Sequence, residues 1–232
     1  MIPAGPRWPV VLLDVDGTLV DSIGLIVESY QYAFRTVLGH PWDEAEIKTW
    51  IGQSLYESMR RDFPDHADEL VAAYREWNHA HADERQSGYP GMRELVVDLG
   101  AAGVRMGAVT SKRRPSAQRS LDVAGLTDLV PLLIAHDDVD ECKPSPKPLL
   151  AALKELGGRP AECVYVGDAV VDVQAAKHAE MSAVAVTWGA GTKKALEEAA
   201  PTAICDTAAE LRRILLPDWE PKGRGPFREG VR

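Results

Sequence analysis

Apolar and polar positions follow two regimes along the chain. In the first, short apolar runs such as Val10-Val11-Leu12-Leu13, Val104 to Val109, 132–135, Cys163-Val164-Tyr165-Val166 and 182–186 end at Gly, Pro or polar residues. Runs of that length and punctuation read as buried strands. Helical spacing separates them: helices are predicted from Met92, from Pro115, from Lys147 and over 169–178, with a final strand and helix near 203–215. Strict alternation of strand and helix implies parallel strands with right-handed crossovers, hence an α/β fold with a doubly wound parallel sheet. In the second regime, from Ser22 to about Gly88, the alternation stops. Leu25, Ile26, Ser29, Tyr30, Ala33, Phe34, Val37 and Leu38 recur at helical spacing, which predicts a small all-helical unit inserted after the first strand. The chain then returns through Ser87-Gly88-Tyr89-Pro90-Gly91, a turn-rich hinge. The expected division is an α/β core over 1–21 and 88–216, a helical insert over 22–87, and a poorly ordered tail over 217–232 that lacks periodicity.

Composition narrows the partners. With 232 residues, 45% of them hydrophobic, the chain is long enough for a full α/β core and one more small domain. A net charge of -9 argues against a nucleic-acid or anionic-membrane partner, since both call for a basic patch. No apolar run reaches the length of a membrane span and the first residues lack a signal-peptide pattern, so a cytoplasmic location is expected. The three cysteines show no metal-ligand spacing and read as reduced thiols, Cys163 and Cys205 as small core residues. Cys142 lies beside Lys143, a cation able to lower its thiol pKa, but such a neighbour is read as incidental. The oligomeric state is not legible in the sequence.

The candidate chemistry lies at strand ends. Asp14 and Asp16 follow the first apolar run, two residues apart and so on one side of the strand, at the edge where open α/β sheets bind ligands. Their converging charges call for a cation or a shared proton. Thr110 and Ser111 end a second strand, Lys143-Pro144 follows an acidic stretch, and Gly167-Asp168-Ala169-Val170-Val171-Asp172 follows a third strand. Taken singly, each has a plainer reading: a turn-forming Asp-Gly, hydroxyls that cap a helix, a solvated loop lysine. Shared placement at strand ends favours chemistry.

Acid pair, hydroxyl, lysine and distal acids in this order resemble the four motifs of the haloacid dehalogenase superfamily, and the likeness spans most of the chain. Lys143-Pro144-Ser145-Pro146 also matches the family's Lys-Pro-x-Pro pattern. The resemblance implies a Rossmann-like core with a helical C1 cap. It also implies roles: Asp14 as the nucleophile that carries an aspartyl phosphate, and Asp16 as general acid, then base. Thr110, with backbone N–H groups of Ser111 and of Gly17 or Thr18, would hold the phosphoryl oxygens, and Lys143 would clamp the charge. Mg²⁺ would be held by Asp14, the Asp16 carbonyl and Asp168, with Asp172 orienting its waters. Dehalogenases lack an acid at the position of Asp16, so phosphoryl transfer is the implied reaction.

In this family the cap sets specificity, and Ile51-Gly52-Gln53-Ser54-Leu55 is similar to the cap loop that reaches the substrate, with Gln53 and Ser54 as candidate contacts. A phosphonoacetaldehyde hydrolase would need a lysine near this loop, and Lys48 lies on the helix side. A β-phosphoglucomutase would need an arginine in the loop, and Arg60 and Arg61 lie further on. The segment from Tyr74 to Asp83 is similar to the cap of bacterial inorganic pyrophosphatases, and Trp188 to Lys193 resembles phosphoglycolate phosphatases. The reading is a phosphoglycolate phosphatase-like enzyme acting on a small phosphorylated substrate. Pyrophosphate is the nearest alternative, and a non-catalytic phosphate-binding module is the alternative of another class. His79 and His81 read as a solvated helix face, and Trp42, Trp50 and Trp77 as packing between cap helices.

Overall fold

The computed structural model describes residues 5–219. Its centre is a six-stranded parallel sheet built from β1 (Val10–Leu13), β4 (Arg105–Val109), β5 (Leu132–Ile134), β6 (Cys163–Gly167), β7 (Ser182–Val186) and β8 (Ala203–Cys205), in the order β5-β4-β1-β6-β7-β8. β1 sits between β4 and β6, so the chain leaves it in one direction and later resumes on its other side. The carboxyl ends of these three strands meet at the switch point, the usual ligand crevice of such sheets.

Alternation along β1 divides the core. Val11 and Leu13 face one layer with α5 (Met92–Ala101) and α10 (Ala208–Leu215), while Val10 and Leu12 face the other with α7 (Lys147–Leu156) and α8 (Val170–His178). All four are essentially inaccessible to solvent. Each such side chain contributes about 1.5–3 kcal/mol of transfer free energy, which fixes the strand from which Asp14 projects. α6 (Arg114–Val123) connects β4 to β5, close to the predicted start.

The insert is helical, as α1 (Ile23–Leu38), α2 (Glu44–Trp50), α3 (Leu55–Asp62) and α4 (Ala67–His81). It has its own apolar core, in which Tyr30, Phe34, Trp42, Trp50, Phe63 and Tyr74 pack ring against ring. Trp77 stacks between Tyr32 and His81. Three details differ from expectation. The hinge is a short antiparallel ribbon, β2 (Val20–Asp21) on β3 (Ser87–Gly88). A helix missed in the sequence, α9 (Lys193–Glu198), precedes β8. Within the predicted tail, Trp219 packs on the core beneath Arg212, because its ring offers apolar area and a cation-π contact at 5.5 Å. The tail expectation for 220–232 lies outside the described residues. The lysine beside Cys142 does not govern its thiol, in line with the expectation: the pKa is raised to about 11, by burial first and then Glu57, which together outweigh Lys143.

Candidate active site

The turn after β1 is held by Gly17 N–H to Val20 O (2.9 Å) and by Leu19 and Val20 N–H to Val15 O (3.0 and 2.9 Å). Gly17 has φ +75°, and a Cβ there would lie 2.2 Å from Asp168 Oδ2. Glycine is therefore needed twice over, for the left-handed turn and for the close approach of β6. Asp14 heads this turn and is 1% exposed.

Four charged side chains converge beneath the turn, all buried: Asp14, Lys143, Asp168 and Asp172. Lys143 Nζ donates to Asp172 Oδ1 (2.6 Å) and to the Tyr165 hydroxyl (3.0 Å), which itself donates to Val109 O (2.9 Å). It also lies 3.0 Å from Asp14 Oδ1, an ion-pair distance without hydrogen-bond alignment, so that buried oxygen has no hydrogen-bond partner. Asp168 accepts from Thr18 Oγ1 (3.0 Å) and from Ala190 N–H (2.7 Å). Asp172 accepts from Ala169 N–H (2.9 Å) with its other oxygen, at the start of α8.

One ammonium faces three carboxylates, so the cluster is short of positive charge. Burial pushes the Asp14 carboxyl well above the usual carboxylate range, Lys143 pulls against that, and Asp172 and Asp168 add to the rise. Asp168 is pushed up to about 7, by burial and then by Asp172. Burial opposes the Lys143 charge, yet Asp14 and Asp172 outweigh it and raise its pKa well above the ordinary lysine value. Oxygen atoms of Asp14, Asp168 and Asp172 lie within 4.8 Å of one another. Hard carboxylate donors, an orphaned Asp14 oxygen and a deficit of positive charge fit a divalent cation such as Mg²⁺.

Asp16 faces a different way. Its Oδ1 accepts from Ser22 Oγ (2.6 Å) and from Lys112 Nζ (2.7 Å), and it lines a cleft of about 330 Å³ between core and cap whose floor includes Asp14. Lys112 was missed in the sequence; the signal was its place directly after Thr110-Ser111 at a strand end. Thr110 is buried beside the cleft, with its oxygen accepting from Lys112 N–H (3.2 Å). Ser111 Oγ donates to Gly52 O (2.8 Å), tying the core to the cap loop. Gly52 has φ +89°, and a Cβ there would press on Ala169 and Val171 at 3.1 Å, so the loop sits directly on the segment after β6.

The remaining sequence candidates divide. Thr18 serves Asp168 through its hydroxyl, and the Gly17 and Thr18 amides bond within their own turn, to Val20 O (2.9 Å) and Val15 O (3.4 Å). Gln53 and Ser54 line the cleft. Gln53 donates to Thr49 O (2.7 Å) and accepts from Arg61 (3.2 Å), while the Ser54 hydroxyl caps α3 at Glu57 N–H (3.4 Å). Arg61 pairs with Asp62, Arg60 stacks on Tyr56, and Lys48 pairs with Glu44, all at the cap surface. His79 borders the cleft and its carbonyl accepts from Arg119 (2.8 Å).

The model of the haloacid dehalogenase-like hydrolase family matches residues 11–186. The chain belongs to that family. A pyrophosphatase PpaX from Bacillus cereus (strain AH820) is 32% identical over 205 residues, covering 88% of this chain and 95% of that protein. A haloacid dehalogenase-like hydrolase from Bacteroides fragilis superposes with a TM-score of 0.81 at 26% identity, over 88% of this chain and 100% of that one. A structure named for phosphoglycolate phosphatase from Lactobacillus delbrueckii subsp. bulgaricus gives 0.78 at 23% identity, over 90% and 98%, and shares the fold. The protein is thus a haloacid dehalogenase-like hydrolase with a Rossmann-like core. No helix among the described residues is long and apolar enough to cross a membrane.

Proposed function

We propose that the protein is a Mg²⁺-dependent phosphatase that hydrolyses a small phosphorylated compound through an aspartyl phosphate on Asp14, with pyrophosphate as its first substrate. The observation that carries this is the Asp14 oxygen at the cleft floor, buried, free of hydrogen bonds and 3.0 Å from Lys143. An Asp14 oxygen attacks phosphorus, and the bond from phosphorus to the leaving oxygen breaks. Asp16 supplies a proton to the leaving group, then takes one from the water that attacks the phosphoenzyme. Lys143 holds Asp14 in line and offsets the charge arriving with the phosphoryl group. Thr110 and the Ser111 amide support its oxygens. Asp14, the Asp16 carbonyl and Asp168 would hold Mg²⁺, with Asp172 beside it. When bound, the ion supplies positive charge that lets a carboxylate approach an anionic phosphate.

The choice of pyrophosphate follows the curated relative at 32% identity. The likeness of Trp188 to Lys193 to phosphoglycolate phosphatases carries less weight on substrate. Trp188 Nε1 donates to Thr18 O (3.2 Å) and Ala190 N–H to Asp168, so the segment braces the acid cluster. Phosphoglycolate is the second reading, favoured by that segment. Steady-state kinetics with Mg²⁺ on pyrophosphate, phosphoglycolate, sugar phosphates and nucleotides tests the assignment. The highest kcat/KM on pyrophosphate supports it, and the highest on phosphoglycolate replaces it. Absence of any metal-dependent hydrolysis would leave the phosphate-binding module.

A further inference from the structure

We propose that Arg75, on cap helix α4, and Arg113, on the core just before α6, form a subsite for a second anionic group on the substrate, a phosphoryl or carboxylate a few bonds from the phosphoryl group that Asp14 accepts. The inference rests on the phosphatase reading and adds to it the residues that select the substrate.

Both arginines line the cleft that has Asp14 at its floor. Neighbouring cations are committed to acids: Lys112 to Asp16, Arg114 to Asp138 and Arg119 to Asp83. Arg113 commits only Nε, to Asp137 Oδ1 at 3.1 Å. Arg75 has no hydrogen bond or ion pair among the described residues, although it reaches into a cleft walled by aromatic rings of the cap. The two guanidinium groups disfavour each other: the Arg75 pKa is lowered, by burial first and by the Arg113 charge next, with Asp137 only partly offsetting them.

Two like charges, one from the cap and one from the core, face a shared cleft with one nearby acid, Asp137, which bonds Arg113 and only partly offsets Arg75; an anion that enters between them relieves the rest. A guanidinium presents a planar fork of donors that matches phosphoryl and carboxylate oxygens. The cleft, about 330 Å³, is at the small end of ligand pockets, roughly 300–1,000 Å³. A compact molecule with anions at both ends therefore reaches Asp14 and the arginines together. It also bridges cap to core, closing the cleft over the reacting phosphoryl group. An ester with a neutral leaving group gains neither effect.

The test is inhibition of p-nitrophenyl phosphate hydrolysis at constant free Mg²⁺ by three probes: inorganic phosphate, which needs only the floor, and phosphonoacetate and methylenediphosphonate, which carry a second anion. Charge-assisted hydrogen bonds of this kind predict that Arg75→Gln weakens at least one bis-anion about tenfold more than it weakens phosphate. Arg113→Gln should act in the same direction, and Arg60→Gln, outside the cleft, should leave the ratio of Ki values as in the wild type. A greater loss for methylenediphosphonate marks the second group as phosphoryl, and a greater loss for phosphonoacetate marks it as carboxylate. Equal losses for all three probes, or none, overturn the subsite. If the wild type cleaves neither pyrophosphate nor phosphoglycolate while the selective loss persists, the substrate assignment falls and the subsite stands. Absence of p-nitrophenyl phosphate hydrolysis in the wild type would overturn both.

Discussion

The floor of the cleft and its cap wall treat charge in opposite ways. On the floor, Asp14, Lys143, Asp168 and Asp172 are buried and held by Tyr165, Thr18 and two backbone amides. On the cap side, Arg75 is exposed and makes no hydrogen bond or ion pair among the described residues, while Gln53 turns back on its own helices. Buried charges in fixed register suit bond making, where small misplacement costs rate. An exposed cation able to meet several anions suits selection. On the proposed reading, the difference gives the chemistry to the core floor and the discrimination to the cap wall together with Arg113.

The contrast breaks first if chemistry survives loss of the floor. Asp14→Asn should lower turnover by roughly 10⁴-fold or more, as removal of a nucleophile does, without lowering the melting temperature, since one of three clustered acids loses its charge. Substantial single-turnover activity in this variant would identify another nucleophile. Next in size is stability. Lys143→Met leaves three buried carboxylates without their ammonium and should cost about 3–5 kcal/mol, read from urea unfolding, whereas Arg75→Gln on the cap should stay within about 0.5 kcal/mol. Equal costs would erase the distinction.

Metal should act on the floor alone. At a hundredfold excess over its Kd, Mg²⁺ should stabilise the wild type by about 2.7 kcal/mol and Asp168→Asn far less, measured as a shift in melting temperature. An identical shift in both would place the ion elsewhere. A smaller effect belongs to the cap's own ion pair. The Arg61 hydrogen bond holds the Asp62 carboxyl below its ordinary value of 3.8, against opposing burial. A lowered pKa gives stability that is present above the unfolded value and lost as pH falls through the folded one. Asp62→Asn should therefore cost up to about 1 kcal/mol near neutrality, and its difference from the wild type should shrink below about pH 4. A difference independent of pH would point to the Trp50 Nε1 hydrogen bond at 2.8 Å instead.

What could be read from the sequence was local. Apolar runs ending in Asp14, Thr110 and Gly167 marked strands and their carboxyl ends, and α1 announced itself through spacing that buries Leu25, Ile26, Tyr30 and Phe34. β2 and β3, two residues each, are too short to carry a period. Unread pairings were remote ones: Lys112 reaches Asp16 across 96 positions, and Trp188 reaches Thr18 across 170. Arg75 lay within a segment noted for its likeness to pyrophosphatase caps, but its having no hydrogen bond or ion pair among the described residues is a property of the folded cleft. The lysine beside Cys142 was read as incidental, and burial, with Glu57, does outweigh it, although the approach of Glu57 could not be seen in the sequence.

The most direct measurement is chemical trapping of the phosphoenzyme. Protein mixed with pyrophosphate and Mg²⁺ is quenched in acid and reduced with borohydride, which converts an aspartyl phosphate to homoserine, and its peptides are mapped by mass spectrometry. Homoserine at position 14, absent when Mg²⁺ is chelated, is the predicted result. Turnover of pyrophosphate with an unmodified Asp14, or with the label at another acid, would contradict the account.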